Sequence, residues 1–426
     1  MSHLFGIGVP GLARSVKRRD EMVGPHSRKP QSSGPQGSTA TRRTALSLML
    51  GAPLLAACSG VQQTLSQFST SSQPEAPAGT QQQPQAIGNG QVKVGLILPL
   101  SAAGNAGLAG QSMKNAADLA LAEFQNPNIQ LLIKDDGGTP QGASQGAQQA
   151  VGEGAEIILG PLFAQSVPSV AQVARGRGIS VIAFSTDSSV AGRGVYLLSF
   201  LPESDINRIV EYSAGIGKRS FAAMVPDNAY GNVVEAAFKQ VAGRKGRVVA
   251  FEKYGADRAT PARTVAQALG QADALLLADD GDSVVATADA LTAAGANLHN
   301  IQLLGTGLWD NPRVFASQAL QGGLFAAPDP SGFRAFSGRY RSKYGSEPVR
   351  TATLAYDAVA LVAALARTQG AQRFQQETLT NPSGFAGIDG LFRFRADGTN
   401  ERGLAVMKVA TGGAQAVAGS PKSFGA

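Results

Sequence analysis

The sequence predicts an α/β protein made of two doubly wound parallel-sheet lobes. Three features predict it: short continuous apolar runs, Ala-rich helical pattern between them, and a split of the units into two sets. The runs are VKVGLILPL (92–100), IQLLIKDD (129–136), AEIILGP (155–161), ISVIAFS (179–185), VYLLSF (195–200), FAAMVPD (221–227), RVVAFEKY (247–254), ADALLLADD (272–280) and IQLLGTG (301–307). Most are 5–8 residues long, and 15–25 residues of helical pattern separate them. Strands apolar on both faces, each followed by a crossover helix, belong to parallel sheets covered on both sides. Four or five units precede residue 200 and four follow it.

From the N-terminus, residues 1–57 read as an export leader. The apolar run Ala45–Ala57 is 13 residues long, short of the about 20 that span a bilayer. It follows Arg42-Arg43 and ends in Leu55-Ala56-Ala57 directly before Cys58, the only cysteine. A basic region, a short apolar region and a small-residue cleavage site make a signal peptide. L-A-A-C resembles a bacterial lipobox, which makes Cys58 the expected lipidation site. Thr41-Arg42-Arg43-Thr44 resembles a twin-arginine export signal. Gly6–Gly11 matches GxGxxG, but no strand precedes it and Pro10 interrupts it, so it is a chance match. The leader also explains the net charge of +7: it holds eight of the 37 basic residues and two of the 30 acidic ones, leaving 29 and 28. A body that balanced has no electrostatic footprint for nucleic acid.

Residues 58–90 read as the lipidated Cys and a flexible tether. The stretch 59–90 is Gln, Ser, Pro and Gly with one acid and no base, a composition that cannot bury enough apolar surface to order itself. As a coil it would span roughly 30 Å.

The body starts near Gln91. Late in the chain, 331–345 and 351–368 read as helices, and 387–411 reads as a hairpin about an Asp-Gly turn. Ligands of open α/β sheets sit beyond the carboxyl ends of the strands. Those ends supply the candidates Ser101, Phe163 and the neighbouring Gln165, Ser185, Thr186, Tyr230, Asp280 and Thr306. Two facing lobes would place them in one cleft closed by hinge motion.

From about Val92 to Thr411 the chain resembles the type-1 periplasmic binding proteins, in their Leu/Ile/Val-binding branch. The matching stretches are VKVGLILPLSAAGNAGLAG, DDGGTPQGASQGAQQAV, ILGPLFAQSVPSV with its Ser/Thr-rich strand end, VPDNAYGNVVEAAF and GIDGLFRFRADGT, in that order. The resemblance implies two lobes joined by a three-segment hinge, with expected boundaries of 91–203 plus 330–384 for lobe 1, 204–329 plus 385–413 for lobe 2, and 414–426 for a tail. It implies that Ser185 and Thr186 hold an amino-acid-like ligand and that Tyr230 touches it. Ala164 stands where such proteins often have Ser, and Gly307 where they place an acid for the ligand ammonium. A buried ammonium needs a carboxylate, and Asp280 is the expected substitute.

Other signals are weaker. Gly142–Gly146 matches G-x-S-x-G, but Ser144 falls inside a helical pattern rather than at a strand-to-helix elbow. His299 reads as a solvated turn residue, and Trp309 as core. Asp279-Asp280-Gly281-Asp282 lacks the spacing of a calcium loop and reads as a helix start. One Cys and three His give no zinc site or Cys/His dyad, so no metal, cofactor or enzymatic activity is expected. The leading expectation is an exported, lipid-anchored binder of a small polar ligand that serves an inner-membrane ABC permease. The alternative is an outer-membrane lipoprotein that activates a penicillin-binding protein, a peptidoglycan synthase, using this fold as a docking module.

Overall fold

A computed structural model describes residues 85–424. The leader, Cys58 and the tether as far as residue 84 lie outside the described residues. Among the described residues, no helix is long and apolar enough to cross a membrane.

The chain opens with β1 (Gln85–Ile87), β2 (Val92–Leu98), α1 (Asn105–Glu123), β3 (Ile129–Asp135), α2 (Pro140–Gly152), β4 (Ile157–Leu159), α3 (Val167–Arg175), β5 (Ser180–Ala183) and β6 (Val195–Leu197). The strands make one sheet in the order β1-β3-β2-β4-β5-β6, parallel except for β1. Along β2, Val94, Leu96 and Leu98 enter the core under α1, while Ile97 enters the core under α2 and α3. Period-two alternation with apolar residues on both faces reads as one unbroken apolar run, as the sequence predicts.

The second lobe comprises α4 (Pro202–Gly215), β7 (Ser220–Pro226), α5 (Ala229–Lys245), β8 (Arg247–Tyr254), α6 (Ala259–Ala268), β9 (Ala274–Leu277), α7 (Gly281–Ala293), β10 (Gln302–Gly305), α8 (Pro312–Ala316) and β11 (Leu324–Ala327). Phe221, Ala223 and Val225 face α4 and α5; Ala222 and Met224 face the opposite core with α6 and α7. The chain then returns to the first lobe as α9 (Pro330–Tyr344), α10 (Ala352–Thr368) and the short α11 (Gln376–Leu379). Phe336 and Tyr340 of α9 pack on Ala116 and Leu119 of α1.

After these come β12 (Phe385–Gly387), β13 (Gly390–Phe394), β14 (Asn400–Arg402), β15 (Ala405–Ala410) and β16 (Gly413–Ala418). The second sheet runs β16-β15-β11-β10-β9-β7-β8, with β15 and β16 antiparallel. Its parallel part, β8-β7-β9-β10-β11, repeats the order β3-β2-β4-β5-β6 of the first sheet. Each lobe is therefore doubly wound, with a switch point where the order reverses, at β2/β4 and at β7/β9.

Three expectations need correction. The segment 385–413 divides between the lobes. Its hairpin, β13 and β14, places Phe392 and Phe394 in the first lobe's core, and Gly398 O accepts from Leu197 N at 2.8 Å. Only β15 joins the second sheet. The expected tail instead forms β16, paired to β15, and the tether's last residues form β1, paired to β3. Strand β11 lies in an apolar run, LFAA, that the strand reading passed over. Pairing of backbone at a sheet edge makes strands of β1 and β16, and no local pattern announces it, whereas β11 is an interior strand whose buried apolar run does carry the signal.

The chain crosses between lobes near residues 198–201, 328–329 and 403–404. The first and third crossings are tied together: Ser199 O accepts from Arg402 Nε and from Asn400 Nδ2, both at 2.8 Å. Arg402 is buried between the rings of Phe200 and Phe392.

Candidate functional site

In both lobes, some of the helices that follow strand ends, α2, α5 and α7 among them, begin on a side-chain cap. Thr139 Oγ1 accepts from Gly142 N at 3.0 Å, Asn228 Oδ1 from Gly231 N at 2.9 Å, and Asp280 Oδ1 from Ser283 N at 2.9 Å. Capping fixes where each helix starts and so fixes the loop before it. A β-carbon at Gly231 would lie 1.7 Å from Pro226 O, so only glycine lets α5 start this tightly against β7 and set Tyr230 at the rim.

At the first lobe's rim, beyond β2, β3 and β4, Ser101 N and Gly137 N both donate to Asp135 Oδ1, at 3.1 and 2.9 Å. Gln165 Nε2 donates to Gly138 O at 3.3 Å, and the Phe163 ring lies 3.4 Å from where a β-carbon on Gly138 would be. The fold thus brings Ser101, Phe163 and Gln165 together. Beside them Asp136 is buried, and burial pushes its carboxyl up to about 6 against the pull of the Gly138 N–H. Beyond β5, Ser185 is buried and its Oγ accepts from Asp187 N at 3.0 Å, while Thr186 is exposed.

At the second lobe's rim, Tyr230 Oη and Thr306 Oγ1 share a hydrogen bond of 3.0 Å. Tyr254 Oη, at the end of β8, donates to Asp279 Oδ2 at 2.5 Å at the end of β9. Burial raises both phenols above their ordinary range, so they stay protonated donors at neutral pH. Gly307 N donates to Asp205 Oδ2 at 2.9 Å, and a β-carbon at Gly307 would lie 3.3 Å from that oxygen. Asp205 comes from the first turn of α4, where burial pushes its carboxyl up to about 7 against the pull of the Gly307 N–H and of Arg402. Asp280 is exposed and serves as the α7 cap; Asp279, its neighbour, is the acid that meets the tyrosine. Trp309 is core, its Nε1 donating to Leu277 O at 3.0 Å.

The second rim therefore gathers two carboxyl groups, two phenols and a threonine hydroxyl at the carboxyl ends of β7 to β10. Arg258 adds a guanidinium 5.0 Å over the Tyr254 ring. The arrangement can hold a small polar molecule through donors and acceptors. Sequence reasoning missed Asp205 and Tyr254, and at the end of β9 it took Asp280 rather than its neighbour Asp279 as the acid. Tyr254 and Asp279 sit at strand ends, and the rule that singled out Tyr230 covers them too. Asp205 carries no local signal, because packing α4 across β10 and β11 sets it under Gly307, 102 positions away.

Ser144 lies inside α2, and His299 is an exposed turn residue. Neither meets a catalytic partner, and no His/Cys/Asp/Glu group among the described residues is arranged to hold a metal.

The model of the periplasmic binding protein family matches residues 91–414, both lobes and all three crossings. The chain belongs to that family. Solved periplasmic binding proteins share the fold. A putative branched-chain amino acid ABC transporter from Rhodospirillum rubrum is 18% identical, with 76% of this chain and 99% of that one covered and a TM-score of 0.68. An ABC transporter substrate-binding protein from Desulfitobacterium hafniense, in complex with Leu, is 19% identical, covers 76% and 99%, and has a TM-score of 0.58. Among curated proteins, an uncharacterized protein of Rickettsia prowazekii is 19% identical over 167 residues, 39% of this chain and 44% of that protein. The matched stretch thus spans less than half of that relative.

Proposed function

We propose that the protein is a lipid-anchored, periplasm-facing solute-binding protein that closes over a small amino-acid-like ligand and presents it to an ABC permease. The observation that carries this reading is the second rim, where Asp205 stands beneath Gly307 and Asp279 beside Tyr254. A ligand ammonium would meet the two acids. Tyr230, Thr306 and, from the opposite rim, Ser101, Gln165, Ser185 and Thr186 would hold its remaining polar atoms. A buried ammonium needs such compensation, and Asp205 offers it where the family's acid is replaced by glycine. Closure performs no chemistry; it is the signal a permease reads. Cys58, acylated, would anchor the chain, and the tether would let the body reach its partner.

A thermal-shift screen of amino acids, amides and small organic acids tests this. The expected result is stabilisation by at least one ligand bearing an ammonium group, lost in Asp279→Asn. Stabilisation by none of them would refute it. Labelled fatty acid should attach to Cys58 and not to a Cys58→Ser chain.

The docking-module reading is favoured by one observation. Leu108 is 64% exposed at the start of α1 and Leu308 is 45% exposed after β10, an apolar side chain beyond each sheet that a partner would cover. Under that reading, the protein would retain a peptidoglycan synthase in pull-down and Leu108→Ser would release it.

A further inference from the structure

A groove of about 790 Å³ lies apart from the strand-end rims. One wall is the first lobe's 3-10 turn at Ser188–Val190 together with the β13–β14 turn. The other is the face of α4 and α5 that carries Glu203, Asn207 and Asn232. Glu203 and Asn207 are one helical turn apart and share that face, while Asp205, between them, points the other way to Gly307. The groove therefore lies on the opposite face of α4 from the carboxyl that meets the cleft, although the Glu203 charge still reaches Asp205.

Three residues that line it have a buried oxygen without a hydrogen-bond partner among the described residues: Glu203 Oε2, Asn207 Oδ1 and Asn400 Oδ1. Asn400 is 2% exposed, and its Nδ2 is committed to Ser199 O at 2.8 Å, which fixes the amide so that Oδ1 is the free end. Buried acceptors left without donors are rare because they cost desolvation with no return. All three are acceptors, and the carboxylates of Glu203 and Asp397 bias the groove towards positive charge. Arg395, the one basic residue lining it among the described residues, is paired with Glu401 at 3.2 Å. An ammonium group has three donors, a positive charge and no acceptor, which is the complement of these walls.

We propose that this groove is a second binding site, for a small organic cation bearing a primary ammonium group. One wall belongs to each lobe, so an occupant would bridge them beside the first crossing and bias their relative position.

The test is calorimetry on the full-length chain at low salt. The probes are putrescine as a free amine, Nα-acetyllysine amide as a peptide-borne one, and 1,4-butanediol and succinate as neutral and anionic controls of similar size. The expected result is binding of an amine but not of the controls, weakened tenfold or more by Glu203→Gln and unchanged by Asp279→Asn. Preference between the two amines tells a free cation from a lysine side chain, and either supports the site. No amine binding, equal binding of the diol, binding untouched by Glu203→Gln, or binding lost in Asp279→Asn would each overturn it. Should Glu203→Gln fail to fold, Asn207→Ala, on the same face, replaces it with the same expected loss.

Discussion

Replacing Asp205 with asparagine gives the most direct reading of the second rim. The carboxyl accepts from Gly307 N at 2.9 Å, and burial holds it up to about 7 against a free value of 3.8. Between pH 4 and pH 7 the folded chain keeps a proton that the unfolded chain releases. Stability linked to this group is therefore full below pH 4 and falls as pH rises from 4 through 7. At about 1.4 kcal/mol per pH unit, the rise from 3.8 to about 7 sets a ceiling of about 4 kcal/mol. The asparagine amide keeps an acceptor for Gly307 N and has no proton to lose. Urea unfolding midpoints of the two chains, measured from pH 4 to pH 8.5, should coincide at the acid end and separate as pH rises, with the Asp205→Asn chain the more stable. Asp136 and Asp357, pushed up to about 6 and about 7, titrate in the same window in both chains and cancel in the difference. A gap between the curves that is constant across pH would refute the reasoning.

Four further outcomes are expected. A ligand whose ammonium meets Asp205 should bind more tightly as pH rises from 6 to 8, by up to about tenfold, since each pH unit below the carboxyl's value removes most of its charge; calorimetry reads this. Tyr230→Phe removes the bond to Thr306 and should cost about 1 kcal/mol of stability while weakening ligand binding. Asp389 is fully buried and takes two bonds from Arg350, at 2.9 and 2.6 Å, and one from Thr353 Oγ1 at 2.6 Å. Asp389→Ala removes those bonds, but Arg350 is 38% exposed and Thr353 Oγ1 keeps Arg350 O as a partner, so it should cost about 2 kcal/mol, read by denaturant unfolding. At Gly305 a β-carbon would sit 2.1 Å from the Trp309 ring; Gly305→Ala should cost about 1–3 kcal/mol and shift the fluorescence of the only tryptophan.

Most strands of both parallel sheets were legible because they are apolar on two faces, which leaves a run no surface segment shows; the four-residue β11 was the exception. The rim residues were partly legible for a related reason. Strand ends are punctuated by Ser, Thr, Asp and Tyr before a capped helix, so Ser101, Ser185, Tyr230 and Thr306 stood out. Asp280 stood out too, but its side chain caps α7, and the acid one position earlier meets Tyr254. A one-residue difference at a strand end reverses which side chain faces the rim, and the run ADALLLADD does not say where the strand stops.

By itself, then, the sequence determined the two doubly wound lobes, which follow from hydrophobic period and local turn chemistry, and through its resemblance to a known family it placed the return to the first lobe near residue 330. Only the tertiary structure decided that β13 and β14 belong to the first lobe, that β1 and β16 complete the sheet edges, and that Asp205 lies under Gly307. Those features come from backbone pairing and helix packing between positions far apart in the chain, and such contacts leave no periodic trace in the residues that make them.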